Sequence, residues 1–480
     1  MKSPKLYRLL RVLDRPMLKQ FRRFLNSPYH NTNTILVSLF DILKKHHPTF
    51  AKEKLKKEKL FKKLYPQKVF SDKRIRDLMS LLSLCLEDFL VHESLRADQQ
   101  KKQWLLMQAF DRYHLQSFFE KKNQELIEQV DRQKQKDLHY HYRKFDLYQQ
   151  FFFNRNTDKF KKDIDHIQMA MQELDLFYTL GKLQLSAELK ARERILAEQH
   201  EIVLLDAIQQ SLQQKQFPSA SPLFDIYQAL IQLHQSESAP SIFVQVYHQL
   251  VDHLSIISKD DQRSILQHLL NYAIRHSNQG DLRMNEKIWQ LYDLEQRQDL
   301  LLINNQITEY TFGNIVSISC QLKKFDWLES FVDNYQIYLD ASIRKSTLLW
   351  ARITQSFFQE AYENVLVLIQ EVPNKRNHGY RVRHLLLRTY YELFQQAPTK
   401  YENPLLSQIK SYQQYLRRQD QIGTERILAQ KNFVSFIKKL VPLKHLVRVS
   451  TKQRQQLLQK LKATKSIAFR HWLEQKVKAL

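Results

Sequence analysis

Glycine is scarce in this sequence. The chain has 5 glycines among 480 residues, whereas average usage of roughly 7 % would supply about thirty. Phosphate-binding loops need glycine because the backbone must approach the ligand without a Cβ in the way. Nucleophile elbows and tight β-hairpins need positive φ angles. The scarcity therefore argues against these frameworks and favours an all-α fold without familiar catalytic machinery.

Cysteine and long apolar runs are also rare. The two cysteines, Cys85 and Cys320, lie among apolar residues at helical spacing, which favours buried free thiols in a reducing compartment. The longest apolar runs, such as residues 300–303, are far shorter than the roughly 20 residues that span a bilayer. Residues 1–11 carry charge but not the apolar core of a secretory signal. We therefore expect a cytoplasmic protein without a transmembrane segment.

The common motifs of enzymes and metal sites are missing from the sequence. Neither a glycine-rich nucleotide loop nor a Gly-x-Ser-x-Gly elbow occurs. His200 is followed by glutamate, as in zinc proteases, but Leu204 stands where the second histidine ligand would be. His139 and His141 are two residues apart, a spacing that points them to different faces of a helix. We expect no catalytic residues, no cofactor and no metal, with an enzyme of unrecognised class as a minor alternative.

Positive charge is concentrated at the two ends of the chain. The net charge is +25, of which residues 1–100 contribute +12 and residues 401–480 contribute +13, while residues 201–300 carry −5. Such asymmetry predicts an acidic partner for the ends. Nucleic acid, an anionic membrane surface and an acidic protein are the alternatives.

A lysine-rich segment at residues 52–76 is the strongest candidate for an anion-binding surface. Three aromatic residues are interleaved with its basic residues, and a helix ending at Pro66 followed by one starting near Ser71 gives a superficial likeness to a helix-turn-helix. The connection is longer than the usual 3–4 residues and has no glycine. The alternative is a solvated, lysine-rich helix face. The candidate anion or nucleic-acid surface comprises Lys56, Lys57, Lys62, Lys63, Lys73, Arg74 and Arg76.

Apolar residues recur with the 3.6-residue period of a helix along most of the chain. Asp14 before Pro16, and Ser71 or Asp72 before a later apolar stripe, are typical helix N-caps. Residues 97–216 are predicted to form several long helices. Breaks between these helices are expected near residues 112–114, near residues 154–157, and around either Gly181 or residues 199–200.

The helical pattern becomes more regular in the second half of the chain. Aromatic and acidic residues open helices at Phe325, Tyr362 and Tyr401, spaced 37 and 39 residues apart, and helix-pair repeats have periods of about 34–47 residues. Residues 349–373 combine an apolar helix, an aromatic pair, a second apolar helix and a terminal proline. On these residues the chain resembles the tetratricopeptide class of helical repeats, over about residues 280–420.

The predicted architecture is all-α. Stacked antiparallel helix pairs form a curved α-solenoid, with a basic N-terminal helical region and a basic C-terminal capping helix. The whole chain also resembles a group of uncharacterised all-helical bacterial proteins, a likeness that implies no activity. The predicted division is residues 1–96 as the basic N-terminal helical region, residues 97–240 as a long-helix region, residues 241–445 as divergent tetratricopeptide-like repeats, and residues 446–480 as the basic C-terminal helix.

Helical arrays of this kind usually present an extended surface to another macromolecule. The first functional hypothesis is therefore a non-catalytic macromolecule-binding or scaffold protein, with another protein as its partner. The alternative is a nucleic-acid-associated regulatory protein that binds through the lysine-rich N-terminal region. For the amphipathic C-terminal segment at residues 451–480, a cap over the end of the array is favoured over contact with a membrane or a partner groove. The sequence leaves the partner's identity and the oligomeric state open.

Overall fold

A computed structural model of the chain describes residues 5–50, 55–154, 164–196, 199–214, 221–372, 379–418, 424–445 and 449–480. Across these ranges the chain forms 23 α-helices, two 3-10 helices and no β-strand. The predicted all-α class is therefore confirmed. Among the same residues, no helix combines the length and the apolar character that crossing a bilayer requires.

The α-helices are, in chain order, α1 (Lys5–Arg11), α2 (Arg15–Leu25), α3 (Thr34–Lys44), α4 (Lys57–Leu64), α5 (Asp72–Ala97), α6 (Gln99–Arg112), α7 (Gln116–Asp131), α8 (Leu138–Phe153), α9 (Ile164–Leu196), α10 (Leu205–Gln213), α11 (Pro222–Gln235), α12 (Pro240–Asp252), α13 (Lys259–Asn278), α14 (Arg283–Arg297), α15 (Glu309–Gln321), α16 (Phe325–Tyr335), α17 (Arg344–Phe358), α18 (Tyr362–Gln370), α19 (Gly379–Gln396), α20 (Pro398–Arg417), α21 (Thr424–Leu440), α22 (Thr451–Ala463) and α23 (Arg470–Lys478). They form two compact units. The first is Met1–Gln133 with Arg143–Glu173, and the second is Lys134–Tyr142 with Leu174–Leu480. The four-part division predicted from the sequence stays a prediction.

In the first unit, α1 to α5 share one apolar core. The Phe21 ring lies 4.9 Å from the Phe40 ring in an edge-to-face arrangement and 5.3 Å from the Phe89 ring, and all three side chains are buried. Two predicted caps are confirmed. A side-chain oxygen of Asp14 accepts from the Met17 backbone N–H at 2.8 Å, and that of Ser71 accepts from the Arg74 backbone N–H. Sequence-local capping and apolar spacing thus account for where α2 and α5 begin.

The predicted helix breaks have three different outcomes. The break at residues 112–114 is confirmed, because α6 ends at Arg112 and His114 has a positive φ of 56°. The break at residues 154–157 follows the end of α8, but residues 155–157 lie outside the described residues. Of the two alternatives for the third break, residues 199–200 are confirmed, because they lie between the end of α9 at Leu196 and the start of α10 at Leu205. Gly181 is not a break, since α9 continues through it. A Cβ at this position would lie 3.2 Å from Leu138 Cδ1, so the glycine permits close packing of α9 on α8.

The core of the second unit contains a buried carboxylate held by neutral donors. Asp261 accepts hydrogen bonds from Tyr227 Oη at 2.8 Å, Gln184 Nε2 at 2.8 Å and Ser258 Oγ at 2.7 Å. Burial raises the pKa of Asp261, while the bonds from Ser258 and Tyr227 oppose that rise. The three donors satisfy a polar group that would otherwise be costly inside the core, so this cluster has a structural explanation.

The helix openings predicted in the second half are partly correct. α16 begins at Phe325 and α18 begins at Tyr362, as predicted. The third opening, at Tyr401, is wrong because α20 already begins at Pro398, and Tyr401 lies within its first turns. Proline suits a first helical position because its fixed φ is helical and it lacks an N–H to be satisfied. Gly280 forms the turn after α13, with a φ of 109° that favours glycine.

Candidate functional site

The second unit contains a large open cleft of about 1710 Å³. Its walls come from the α13–α14 turn, the helices α15, α17 and α19, and the segment of residues 466–475 that leads into and through the start of α23. Small-molecule pockets usually measure about 300–1,000 Å³. The cleft therefore has room for an extended chain segment as well as for a small ligand.

Helix α19 presents a polar stripe to this cleft. Arg381, His384 and Arg388 line it, and their spacing of three and then four residues places them on one face of the helix. The two arginine positions are separated by about 10 Å along the helix axis. Another face of α19 belongs to the apolar core, where Tyr391 and Phe394 are buried. Helix α19 therefore lies between the apolar core and the cleft.

Arg388 lies in an aromatic surround. Its Cζ is 4.3 Å from the centre of the Phe357 ring, 4.7 Å from that of Phe469 and 5.4 Å from that of Trp472. Its Nε is shielded from solvent and has no hydrogen-bond partner among the described residues. Burial lowers the pKa of the guanidinium to about 10, although the nearby Glu392 opposes the change. Arg388 remains charged at neutral pH, with its charge stabilised by ring faces and by the nearby Glu392 carboxylate, and it forms no ion pair among the described residues.

Arg381 occupies a related environment nearer the start of α19. Its Cζ lies 4.1 Å from the centre of the Trp350 ring on α17. Burial lowers its pKa, and the carboxylate of Glu309 opposes the change. Two guanidinium groups on one helix face are therefore held against aromatic side chains of neighbouring helices.

Contacts of two residues, Glu392 and Arg470, fix the C-terminal wall of the cleft. Glu392 on α19 accepts a hydrogen bond from Trp472 Nε1 at 2.7 Å and pairs with Lys476 Nζ at 2.6 Å. Arg470 donates to the backbone carbonyl oxygens of Leu461 and Thr464 at the end of α22. These contacts hold Trp472 in place beside Arg388, so the aromatic surround is built by residues more than 80 positions apart in the chain.

The described lining of the cleft carries charge of one sign. It contains three arginines and two histidines and no carboxylate. Guanidinium groups form directed hydrogen bonds with carboxylates and phosphates, and aromatic rings pack against apolar groups of a ligand. The chemistry of the cleft is therefore suited to recognising an anion with apolar neighbours.

The residues predicted from the sequence lie in a separate corner of the first unit, made by α4, with Lys56 just before it, and by the first turns of α5. Lys57 Nζ lies 2.7 Å from Asp72 Oδ1, and Arg76 Nε lies 2.8 Å from Asp72 Oδ2, so one carboxylate compensates both cations. Arg74 Cζ lies 5.5 Å from the centre of the Tyr65 ring. The remaining residues of the predicted surface are exposed, namely Lys56, Lys62, Lys63 and Lys73. Its role as an anion surface stays a prediction.

The spacing of Arg381, His384 and Arg388 was visible in the sequence, but the aromatic partners of Arg388 were not. Phe469 and Trp472 come from the C-terminal segment, and nothing local in the sequence places them beside α19.

Among the described residues, no group of three or more histidine, cysteine, aspartate or glutamate side chains is arranged to hold a metal ion. Comparisons of the chain with protein-family models, curated proteins and solved structures found no match.

Proposed function

We propose that the chain is a non-catalytic binding or scaffold protein whose partner is another protein. Its binding part is a curved array of stacked antiparallel helix pairs of the tetratricopeptide-like kind. The positions of the helices support this arrangement. α15, α17 and α19 begin 35 residues apart, at Glu309, Arg344 and Gly379, which is within the range of helix-pair repeats.

The packing of these helices supports the same proposal. α15 packs against α16 and α17, α17 packs against α18, and α19 packs against α20. In helical arrays, each pair contacts its neighbours along the chain and leaves an extended surface for a partner. The basic helix α23 then caps the array, because its Trp472, Leu473 and Val477 are buried in the core that also contains α19, α20 and α21.

The observation that carries the proposal is the cleft with Arg388 inside it. A scaffold without a binding role would gain little from a half-buried guanidinium that has no ion pair among the described residues, because removing a charge from water is costly. A partner that supplies an anion would compensate this charge. We place the protein in the cytoplasm, since Cys85 and Cys320 are both free thiols.

Capture experiments with the full-length tagged chain test this function. Wild type, Arg388→Gln and Arg352→Gln are compared, because Arg352 is an exposed arginine on α17 outside the cleft. We expect mass spectrometry to identify a protein that wild type and Arg352→Gln retain and Arg388→Gln loses. A set of captured proteins that is identical for all three chains would contradict binding through the cleft.

The alternative is a nucleic-acid-associated protein that binds through the lysine-rich corner of α4 and α5. Its support is the exposed cations Lys62, Lys63, Lys73 and Arg74, of which Arg74 lies over the Tyr65 ring, since exposed cations with an adjacent aromatic ring suit phosphates and bases. The nucleic-acid content of the same captured samples separates the two functions. Nuclease-sensitive material that is independent of Arg388 would favour the alternative.

A further inference from the structure

We propose that the cleft binds an extended acidic segment of the partner protein, with one carboxylate of that segment paired to Arg388. This inference rests on the proposed function and names the chemistry of the partner. Its occupant is defined by charge complementarity, because the described lining of the cleft contains five arginine and histidine side chains and no aspartate or glutamate.

The geometry around Arg388 favours a carboxylate. Ring faces of Phe357, Phe469 and Trp472 surround the guanidinium, and these faces attract its charge without accepting strong hydrogen bonds. The donors of a guanidinium lie along its edge. A carboxylate that enters in the plane of the group receives two parallel N–H donors, which is the pairing that arginine forms best.

The other cations of the cleft argue against nucleic acid as the occupant. Arg470 already donates to carbonyl oxygens at the end of α22, and Arg381 lies over the Trp350 ring. Nucleic acids gain affinity from many phosphate contacts made by accessible cations. A site with one half-buried guanidinium whose Nε has no hydrogen-bond partner among the described residues is better matched to one carboxylate on a chain whose other contacts are apolar.

The shape of the cleft favours a segment over a free small anion. Its volume of about 1710 Å³ exceeds that of ordinary small-molecule pockets. Phe358 and Leu385 also line it, which gives apolar side chains of a bound segment a surface to cover. An extended peptide can present a carboxylate to Arg388 and apolar groups to these residues at the same time.

Tryptophan fluorescence provides the test, since Trp350 and Trp472 both line the cleft. The probe is a soluble synthetic peptide of repeated Glu-Leu-Ser triplets, titrated into the full-length chain up to about 1 mM, the weak end of specific binding. We expect a saturable change in emission. Arg388→Gln should weaken binding by about tenfold or more, while Arg352→Gln should leave it unchanged.

Matched probes separate the alternatives. The same peptide with glutamine in place of glutamate should bind far more weakly, and free glutamate and single-stranded oligothymidylate should give no change that depends on Arg388. Circular dichroism checks that Arg388→Gln retains its helix content. Arg388→Lys, which keeps the charge but loses the planar fork, should show an intermediate affinity.

Several results would overturn the inference. They are equal binding of the glutamine peptide, Arg388-dependent binding of the oligonucleotide, equal occupancy by free glutamate, or no binding of the acidic peptide. These results are distinguishable from failure of the proposed function. A captured protein that depends on Arg388 but binds through a neutral segment would leave the function standing and refute the carboxylate pairing. Binding of the acidic peptide, together with no captured protein that depends on Arg388, would support the carboxylate pairing and contradict the proposed function.

Discussion

The Cζ of Arg388 on α19 lies 4.3 Å from the centre of the Phe357 ring on α17. This contact holds a charge at the point where two neighbouring helices face a common cleft. Stacking on an aromatic ring stabilises a cation by about 0.5–2 kcal/mol, which is less than the several kcal/mol that removing an ion from water costs. A single ring contact therefore does not offset the cost of removing this charge from water.

Arg388→Met should therefore stabilise the protein while removing the charge from the cleft. Methionine has a similar length and packs well against aromatic rings. We expect the free energy of unfolding of the second unit to rise by about 1–2 kcal/mol, measured by denaturant titration followed by tryptophan fluorescence. Arg352→Met is the matched control and should change stability very little. A loss of stability in Arg388→Met would show that the native charge is already compensated.

Much of the helical framework follows from local sequence. Asp14, and either Ser71 or Asp72, are predicted caps because such side chains accept from backbone N–H groups two or three residues ahead, and Ser71 is the second cap in the structure. Phe325 and Tyr362 were identified as helix starts from apolar spacing. The predicted helix start at Tyr401 is wrong. The local sequence at Tyr401 resembles that at Tyr362, but α20 begins at Pro398.

The candidate site was less accessible to sequence reasoning. Arg381, His384 and Arg388 lie on one face by simple helical geometry, yet a basic face is more often solvated than buried. Only the packing of α17 and the C-terminal segment on α19 encloses this face. Gly181 is a second example. Its position in the middle of α9 is explained by close packing against Leu138, and local sequence does not reveal that tertiary contact.

Glu295 should make the stability of the second unit depend on pH. Burial raises the pKa of this carboxyl to about 7, so the folded state holds the proton more tightly than the unfolded chain, where the pKa is about 4.3. Stability from this group is complete below the unfolded pKa and is lost as the pH rises through 7, by about 4 kcal/mol in all. Glu295→Gln should match wild type near pH 4 and exceed it at pH 8.

Thermal unfolding at both pH values measures this difference, and the exposed Glu237 supplies the control. Glu237→Gln should follow the wild-type pH profile. If Glu295→Gln and wild type lose stability in parallel as the pH rises, the carboxyl of Glu295 is ionised in the folded protein at neutral pH.

Lys476 should be required to hold α23 against α19. Its Nζ lies 2.6 Å from Glu392 Oε2, and the side chain of Glu392 is only 9 % exposed. Lys476→Met leaves this carboxylate with Trp472 Nε1 as its hydrogen-bond donor, and we expect a loss of about 2 kcal/mol, below the value for a fully buried pair. Amide hydrogen exchange should show faster exchange in α23. Lys478→Met, an exposed neighbour, should not, and Glu392→Gln combined with Lys476→Met should recover most of the protection.

The corner formed by α4 and α5 gives a quantitative prediction for nucleic-acid binding. If it contacts duplex DNA, each phosphate contact contributes about 0.9 to the slope of log K against log salt concentration, so replacing four contacting cations by glutamine should reduce the slope by about 3 to 4. The variant replaces Lys62, Lys63, Lys73 and Arg74. A control of equal charge replaces Lys101, Lys102, Lys121 and Arg132, which are also exposed in the first unit.

Fluorescence anisotropy with a labelled duplex at several salt concentrations measures both slopes. A local site changes only the first slope, because direct phosphate contacts release counterions where they form. Equal reductions in both slopes would instead show that the duplex responds to the net charge of the chain, and the corner would then have no special role.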